Sequence, residues 1–159
     1  MRTALFVCTG NTCRSPMAEA IARQWSRKNN LMDELFLASA GTHTAGGSPV
    51  AEETIVALQN LGIDHHGSSK PLTADMIRKA DHVICMTPTH AEEARHLVEN
   101  DPDAAAKIVL LDPGEPVEDP VGMGQAAYDT LAKKFQTLIP RRMKELLGHE
   151  DRHRIGSSR

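Results

Sequence analysis

Aromatic residues are scarce in this chain of 159 residues, which has one Trp, one Tyr and three Phe. A binding pocket walled by aromatic rings is therefore hard to assemble. The chain also lacks a strong charge of either sign: its formal net charge is -3, which gives no indication of a nucleic-acid or membrane surface. No window is long and apolar enough for a membrane span or a signal peptide, so we expect a cytoplasmic protein without nucleic-acid or membrane partners.

Cysteine is also infrequent. The chain has three cysteines, and this odd number argues against the paired disulfide framework of a small secreted protein. His65 and His66 are adjacent rather than spaced along one face of a helix, and no Cys-x2-Cys pair accompanies them. Zinc sites are built from such spaced ligands. We therefore predict no metal and no cofactor.

Short apolar runs alternate with helical segments along the chain. The apolar runs are typical of buried parallel strands and cover 3–8, 34–39, 81–87 and 107–111. Helices are predicted over 16–29, 49–61, 73–80, 88–99 and 123–147. The alternation predicts an α/β fold: a single-domain, doubly wound, four-stranded parallel sheet with helices on both faces. We assign residues 1–148 to this domain and expect the polar tail 149–159 to be disordered.

The most informative segment joins the first predicted strand to the first predicted helix. It runs Cys8-Thr9-Gly10-Asn11-Thr12-Cys13-Arg14-Ser15-Pro16. Successive amides in a tight loop form a concave anion site, and the following helix adds the positive end of its dipole. Gly10 is expected to supply unusual backbone angles, Ser15 to cap the helix and Pro16 to begin it. A phosphate-binding site is predicted from Thr9, Gly10, Asn11, Thr12, Cys13 and Ser15.

Two side chains bracket this loop. Arg14 can hold two phosphoryl oxygens in a bidentate fork and stabilise the charge that develops during transfer. Cys8 is expected to lie beneath the loop donors, in surroundings that favour the thiolate, which is the nucleophilic form of cysteine. The arrangement predicts that Cys8 attacks phosphorus.

The pattern Cys-x5-Arg-Ser near the N-terminus closely resembles the signature of the low-molecular-weight protein tyrosine phosphatase family. Further matching segments follow in the same order: Ser39-Ala40-Gly41, Leu61-Gly62-Ile63, Ala80-Asp81-His82-Val83-Ile84-Cys85-Met86-Thr87 and Asp119-Pro120. The Cys-x5-Arg pattern recurs by chance, but its place between a strand and a helix makes it specific. The resemblance implies a phosphatase that acts on phosphorylated proteins through a phosphocysteine intermediate.

The same resemblance implies that Asp119 protonates the leaving group and then activates the water that cleaves the phosphocysteine. Asp119 lies in a segment, 112–122, with little propensity for regular structure, which is typical of a loop able to cover a pocket. The neighbouring acids Asp112, Glu115 and Glu118 are expected to be solvated charges.

Two positions bear on the substrate. The loop resembles the protein arginine phosphatase branch of the family, because Thr12 stands where tyrosine-specific members usually have an aliphatic residue. A hydroxyl there can pair with the nitrogen donors of phosphoarginine. Val121 follows Asp-Pro, where tyrosine phosphatases commonly have aromatic residues, although the arginine branch often has Phe there. We favour phosphoarginine and keep phosphotyrosine as the alternative, in which Thr12 is an ordinary loop residue.

Several residues are expected to support the loop. Asn11 and Ser39 are candidates for bracing it by hydrogen bonds, and Ser15 is a candidate for stabilising the Cys8 thiolate. Members of the resembling family have a histidine in the region of His66, which implies either a supporting or a surface role for that residue.

Cys13 lies five residues after Cys8 in the same loop. If the loop relaxes, the two sulfurs can approach bonding distance, and Cys13 can capture an oxidised Cys8 as a disulfide. The alternative is that Cys13 is a small loop residue without a redox role. Cys85, which lies within an apolar run, is predicted to be a core residue.

Two other functions share features with this sequence. Arsenate reductases resemble the family in fold and loop, but they need further cysteines for a disulfide relay, and beyond the loop only Cys85 exists. A non-catalytic phosphate-binding module is the other possibility, yet Cys8, Arg14 and Asp119 are all intact. The sequence supports each of these two functions less well than it supports a phosphatase.

Overall fold

A four-stranded parallel sheet forms the centre of the molecule. The structure, a computed structural model, describes the backbone of residues 1–157 and the side chains of residues 1–148. The strands are β1 (Arg2–Cys8), β2 (Leu35–Gly41), β3 (His82–Cys85) and β4 (Ile108–Leu110). They lie in the order β2-β1-β3-β4, and each neighbouring pair is parallel. The predicted four-stranded α/β fold is confirmed.

Helices cover both faces of this sheet. In the described part of the chain they are α1 (Arg14–Lys28), α2 (Glu52–Gln59), α3 (Ala74–Lys79), α4 (Pro88–Leu97), α5 (Pro102–Ala105) and α6 (Gln125–Ser157). Helices α1, α2 and α6 pack on one face, where Met17, Leu58 and Phe135 join a common core. Helices α3 and α4 pack on the other face, where Ile77 and Ala91 belong to a second core.

Strand β1 separates these two cores. Phe6 and Cys8 belong to the first core, whereas Leu5 and Val7 belong to the second. Successive side chains of a strand point to opposite faces, and both faces of this strand are covered by helices. This double burial explains why β1 is a continuous apolar run in the sequence rather than an alternating one.

Several element boundaries differ from those predicted, and one short helix was not predicted. Strand β3 ends at Cys85, two residues early, because Thr87 leaves the sheet to become the N-cap of α4. The helix predicted from residue 49 begins at Glu52. Helix α5 was not predicted, because four residues are too short to show a helical period. Its N-cap is Asp101, whose carboxylate accepts a hydrogen bond from the backbone N–H of Ala104 at 3.1 Å.

The C-terminal segment also differs from the expectation. Its polar composition predicts disorder over 149–159, whereas α6 continues to Ser157, so the backbone of 149–157 is helical. Extending a helix that has already formed costs little free energy, because each added residue gains one hydrogen bond. Residues 158 and 159 lie outside the described residues. Although α6 is 33 residues long, no helix in the described residues has the length and apolar character needed to cross a membrane.

Cys8 lies where the direction of strand addition changes. From β1 the chain goes outward to β2 on one side, and it later returns to β3 and β4 on the other side. In open parallel sheets, such a switch point leaves a crevice outside the carboxyl ends of the strands. The fold therefore places the loop that follows Cys8 at the position where sheets of this type bind ligands.

Candidate active site

A pocket of about 230 Å³ opens above Cys8 at the carboxyl end of β1. It is lined by Cys8, Thr9, Gly10, Asn11, Thr12, Cys13, Arg14, Asp119 and Val121. The predicted catalytic residues and all the predicted substrate-binding residues except Ser15 therefore lie around one space. Cys8 itself is buried at the end of its strand, and α1 begins six residues later. The loop and the N-terminus of a helix thus border one small volume, which is the setting that favours anion binding.

Ser15 has a different place from the one predicted. Helix α1 begins at Arg14 with Cys13 as its N-cap and no side-chain capping bond, so Ser15 lies inside the first turn. Its fully buried Oγ is 2.9 Å from Cys8 Sγ, and it accepts a hydrogen bond from Asn11 Nδ2 at 2.8 Å. Because Asn11 supplies one hydrogen to this oxygen, the single hydroxyl hydrogen of Ser15 is free to point at the sulfur. The hydroxyl can therefore stabilise a thiolate instead of capping the helix.

Asn11 makes the turn of the loop. Its φ is +58°, so it adopts the left-handed conformation, whereas Gly10, which was expected to supply the unusual backbone angles, has no positive φ. Asparagine tolerates this conformation better than most residues because its short side chain can hydrogen-bond locally. The buried Asn11 amide donates to Ser15 and to Ser39 Oγ, and its oxygen accepts from the backbone N–H of Lys70 at 2.9 Å. Asn11 and Ser39, which were each expected to brace the loop, hydrogen-bond to one another at 3.0 Å.

The residues after β2 hold the start of the loop, which the sequence did not indicate. The backbone N–H of Thr42 donates to the Cys8 carbonyl at 2.9 Å, and that of His43 donates to the Thr9 carbonyl at 3.0 Å. This close approach depends on Gly41, since a Cβ at that position would lie 2.5 Å from the Thr9 carbonyl oxygen. The matching segment Ser39-Ala40-Gly41 was the available signal, but its physical reason is a tertiary contact.

Arg14 is held in the wall of the pocket by three groups. Its buried guanidinium donates through Nη1 to the Val117 carbonyl at 3.0 Å and through Nη2 to Thr9 Oγ1 at 3.4 Å. Nη2 also lies 3.6 Å from Asp119 Oδ2. Since a guanidinium carries five N–H donors, enough of them are left for a bidentate grip on a phosphoryl group.

Asp119 stands at the mouth of the pocket. Its side chain is 49% exposed, and its Oδ1 accepts a hydrogen bond from the backbone N–H of Val121 at 3.1 Å. A carboxylate with access to both the pocket and water can exchange protons with a leaving group and then with solvent. The three acids that were expected to be solvated do not line this pocket. Glu115 and Glu118 are exposed, and Asp112 is half-buried.

His66 does not support the loop. Its side chain is 76% exposed, and it pairs with the equally exposed Asp64 at 3.1 Å. The neighbouring His65 is the buried one: its Nε2 lies 3.6 Å from Glu19 Oε2, and it lines a cavity of about 20 Å³ with Asn11 and other residues. Burial lowers the pKa of His65, and the Glu19 carboxylate opposes this effect. In an extended segment, adjacent side chains point in opposite directions, so only one of the two histidines can face inward.

All three cysteines are free and buried. Cys13 Sγ lies 3.4 Å from the hydroxyl of Tyr128, which is also buried. Burial raises the pKa of the Tyr128 phenol, and this hydrogen bond contributes to the same shift by a smaller amount. Cys85 is fully buried in β3, as predicted, and burial raises the pKa of its thiol to about 12. Only Cys8 and Cys13 therefore face the pocket.

A thiol at the base of a loop that leads into a helix, an arginine in the wall and a carboxylate at the mouth are the parts of a cysteine-dependent phosphatase. Comparison with known proteins gives the same result. The family model described as low molecular weight phosphotyrosine protein phosphatase matches residues 3–152, so the chain belongs to that family. It is a cysteine-based protein phosphatase.

Relatives with two named specificities resemble this chain. A protein-arginine-phosphatase from Geobacillus stearothermophilus is 34% identical over 151 residues, which cover 89% of this chain and 94% of that protein. A low molecular weight phosphotyrosine protein phosphatase from Gallus gallus is 28% identical over 137 residues, covering 82% and 87%. Among solved structures, a cysteine-to-serine mutant of YwlE arginine phosphatase with a phosphorylated active-site serine has a TM-score of 0.82 and 27% identity. That match covers 94% of this chain and 98% of that chain.

The bracing role of Asn11 can be measured against a matched control. Asn30 has nearly the same backbone angle, φ +57°, but it is exposed and makes no side-chain hydrogen bond among those the structure describes. Asn11→Ala should lower the free energy of unfolding by about 3 kcal/mol more than Asn30→Ala, because it leaves buried partners unpaired. Chemical denaturation of both variants gives the difference.

Phosphate affinity provides the second readout for this pair of variants. Inorganic phosphate should bind the Asn11→Ala variant more weakly than the parent and bind Asn30→Ala as well as the parent. Equal losses of stability in the two variants would show that the left-handed backbone, rather than the hydrogen bonds, accounts for the choice of asparagine.

Proposed function

We propose that this phosphatase removes phosphate from phosphoarginine in proteins. The observation that carries the proposal is the composition of the pocket rim. Among the described residues that line the pocket, none is aromatic, and the uncharged lining residues include Thr12 and the 60% exposed Val121. A phosphotyrosine ring would find no partner to stack on there. A guanidinium, which is polar and planar, needs hydrogen-bond acceptors instead.

Thr12 can provide such an acceptor. Among the described residues, the one hydrogen-bond partner of its hydroxyl is Cys13 Sγ at 3.6 Å, a weak contact that leaves its lone pairs available to a ligand. Its backbone is held firmly, because its carbonyl accepts from the Ala51 N–H at 3.0 Å and from Thr54 Oγ1 at 3.3 Å. The hydroxyl is thus available on a positioned backbone.

The first chemical step is proposed as follows. The Cys8 thiolate attacks phosphorus and forms an S–P bond while the P–N bond to arginine breaks. Arg14 and the loop amides bind the transferring phosphoryl oxygens. The proton that the departing nitrogen requires comes from Asp119, whose carboxyl stands at the pocket mouth. The related mutant with a phosphorylated active-site serine supports a covalent intermediate.

The second step returns the enzyme to its starting state. Asp119, now ionised, takes a proton from a water molecule, and the resulting hydroxide attacks the phosphocysteine. The S–P bond breaks, inorganic phosphate forms and the Cys8 thiolate leaves. The Ser15 hydroxyl, 2.9 Å from the sulfur, donates a hydrogen bond to the leaving thiolate.

The acid role of Asp119 predicts a dependence on the leaving group. Asp119→Asn should slow phosphoryl transfer by about 10²–10⁴-fold on substrates with poor leaving groups, because the amide cannot donate the required proton. The loss should shrink for aryl phosphates whose phenols have low pKa values. Burst-phase kinetics across such a series measure the step directly, with Cys8→Ser as the inactive reference. An equal loss across the series would remove Asp119 from the role of acid.

The substrate assignment is tested at Thr12. Thr12→Ile keeps the β-branch while replacing the hydroxyl with hydrocarbon, so the loop should still form. We expect kcat/KM for a phosphoarginine peptide to fall by about tenfold as its nitrogen donors lose a partner, and that for a phosphotyrosine peptide to rise. Thr12→Ser is the matched control, because it retains the hydroxyl and should keep the parent ratio.

The alternative substrate has its own outcome in this experiment. Relatives named as phosphotyrosine phosphatases are also similar to this chain, and a parent enzyme that prefers the phosphotyrosine peptide would assign it that specificity. An unchanged ratio in Thr12→Ile would make Thr12 an ordinary loop residue.

We also propose that Cys13 protects Cys8 during oxidation. Both residues line the same pocket and both thiols are free. Peroxide converts the Cys8 thiolate to a sulfenic acid, after which attack by the Cys13 sulfur forms the S–S bond and releases water. A dithiol then reduces the disulfide and restores both thiols.

Recovery from peroxide tests this protection. The parent should regain most of its activity after dithiol treatment, and mass spectrometry should detect a peptide that joins Cys8 to Cys13. Cys13→Ala should stay inactive, because the sulfenic acid proceeds to irreversible oxidation states. Cys85→Ala is the control and should recover like the parent. Full recovery of Cys13→Ala would contradict the protective role.

The position of Cys85 argues against an arsenate reductase. A disulfide relay requires a further thiol that can reach the loop as a thiolate, whereas Cys85 is fully buried and its pKa is raised to about 12.

We propose that the enzyme acts in the cytoplasm, where reducing conditions keep such cysteines free. The names of its relatives support phosphorylated proteins as its partners.

A further inference from the structure

His90 contacts the phosphate loop from helix α4, which packs on the face of the sheet opposite to α1. It lies in the first turn of α4 and is almost completely buried. Its Nε2 is 2.7 Å from Thr9 Oγ1, a distance typical of a strong hydrogen bond. The steps proposed above assign no role to this histidine, although it touches the residue that follows Cys8.

The imidazole is fixed at its other end as well. Thr87, the N-cap of α4, accepts a hydrogen bond from the backbone N–H of His90 at 3.3 Å, and its Oγ1 lies 3.0 Å from His90 Nδ1. Both ring nitrogens therefore have partners, which fixes the orientation of the ring. The contact joins the start of α4 to the start of the phosphate loop.

His90 is uncharged at neutral pH. Burial and the neighbouring Arg14 charge lower its pKa to about 4, against the opposing influence of Glu93 and Asp119. A neutral imidazole has one N–H donor and one acceptor nitrogen. One ring nitrogen of His90 therefore donates a hydrogen bond and the other accepts one, and these two bonds link Thr87 to Thr9. A second cation beside Arg14 is thereby avoided.

Thr9 connects His90 to Arg14, because its hydroxyl contacts both side chains. Its Oγ1 accepts a hydrogen bond from Arg14 Nη2 at 3.4 Å, while its carbonyl is held by the loop after β2. Without His90, the Thr9 hydroxyl could turn to other rotamers, and among the described residues Nη2 would keep its 3.6 Å contact with Asp119. The guanidinium would then be anchored mainly through Nη1 on the Val117 carbonyl.

We propose that His90 is a positioning residue that acts through Thr9 to hold the Arg14 guanidinium in the orientation that grips the phosphoryl group. The inference rests on the proposed function of the pocket, in which Arg14 binds that group. It predicts that His90 and Thr9 work as one unit, since the side-chain hydrogen bonds of His90 among the described residues go to Thr87 and Thr9, of which Thr9 alone lies in the phosphate loop.

A double-mutant cycle tests this coupling. His90→Phe keeps a buried ring but removes both nitrogens, and Thr9→Val removes the hydroxyl at the other end of the same bond. Each change should lower kcat/KM for p-nitrophenyl phosphate by about tenfold and weaken inhibition by inorganic phosphate by a similar factor. In the Thr9→Val background, His90→Phe should cost less than about twofold more, because the coupled interaction is already gone. Losses that multiply fully would overturn the inference.

Rescue and control variants separate positioning from a general effect on folding. His90→Gln offers an amide near the position of Nε2 and should recover most of the phosphate affinity. His96→Gln, on an exposed residue of the same helix that pairs with Glu99, should match the parent. A His90→Gln variant that folds but binds phosphate no better than His90→Phe would contradict the proposal.

Three further outcomes are distinguishable in this experiment. If His90→Phe does not fold, Thr9→Val alone carries the test, and parent-like phosphate binding by that variant would refute the role of the bond. If the parent binds phosphate but hydrolyses nothing, the proposed function fails, while the phosphate affinities still decide whether His90 positions Arg14. A parent that prefers phosphotyrosine changes only the substrate, and the cycle on p-nitrophenyl phosphate stands.

Discussion

The hydrogen bonds of the buried Asn11 side chain are the constraint on which the active site depends. The residue turns the backbone through the left-handed region, and its amide binds Ser15, Ser39 and the backbone of Lys70. These partners come from the following helix, from β2 and from the segment before α3. A loop whose amides all point inward is otherwise opposed by their mutual dipole repulsion and by lost chain entropy. The side chain of Asn11 offsets that cost with bonds that need no ligand.

The rest of the site is assembled around this turn. Because Asn11 supplies a hydrogen to Ser15, the Ser15 hydroxyl can direct its own hydrogen to the Cys8 sulfur. The loop after β2 holds the carbonyls of Cys8 and Thr9. Preorganisation of this kind matters in phosphoryl transfer, since donors that are already in place need no reorganisation when charge develops. The rigid parallel sheet supplies the frame, and the exposed segment around Asp119 supplies access to water.

Local sequence was informative wherever the cause of a feature is itself local. The apolar run of β1 followed by a Cys-x5-Arg loop predicted the strand, the helix and the pocket between them, and alternation along the chain predicted the four parallel strands. Local reasoning was wrong where two residues compete for one role. It assigned the unusual backbone angles to Gly10 instead of Asn11, and it assigned a capping role to Ser15, whose oxygen is engaged by Cys8 and Asn11.

Sequence alone determined which chemical groups the site contains: a thiol, a guanidinium and a carboxylate, on a fold that leaves a crevice at the end of β1. Tertiary structure decided which neighbours hold those groups. It selected His65 over His66 for the interior, required Gly41 beside the Thr9 carbonyl, and brought His90 from α4 to within 2.7 Å of Thr9 Oγ1. The physical reason is that hydrogen bonding and burial act through space: residues 81 positions apart in the chain meet only after the sheet has formed, and no periodicity or local propensity reports their contact.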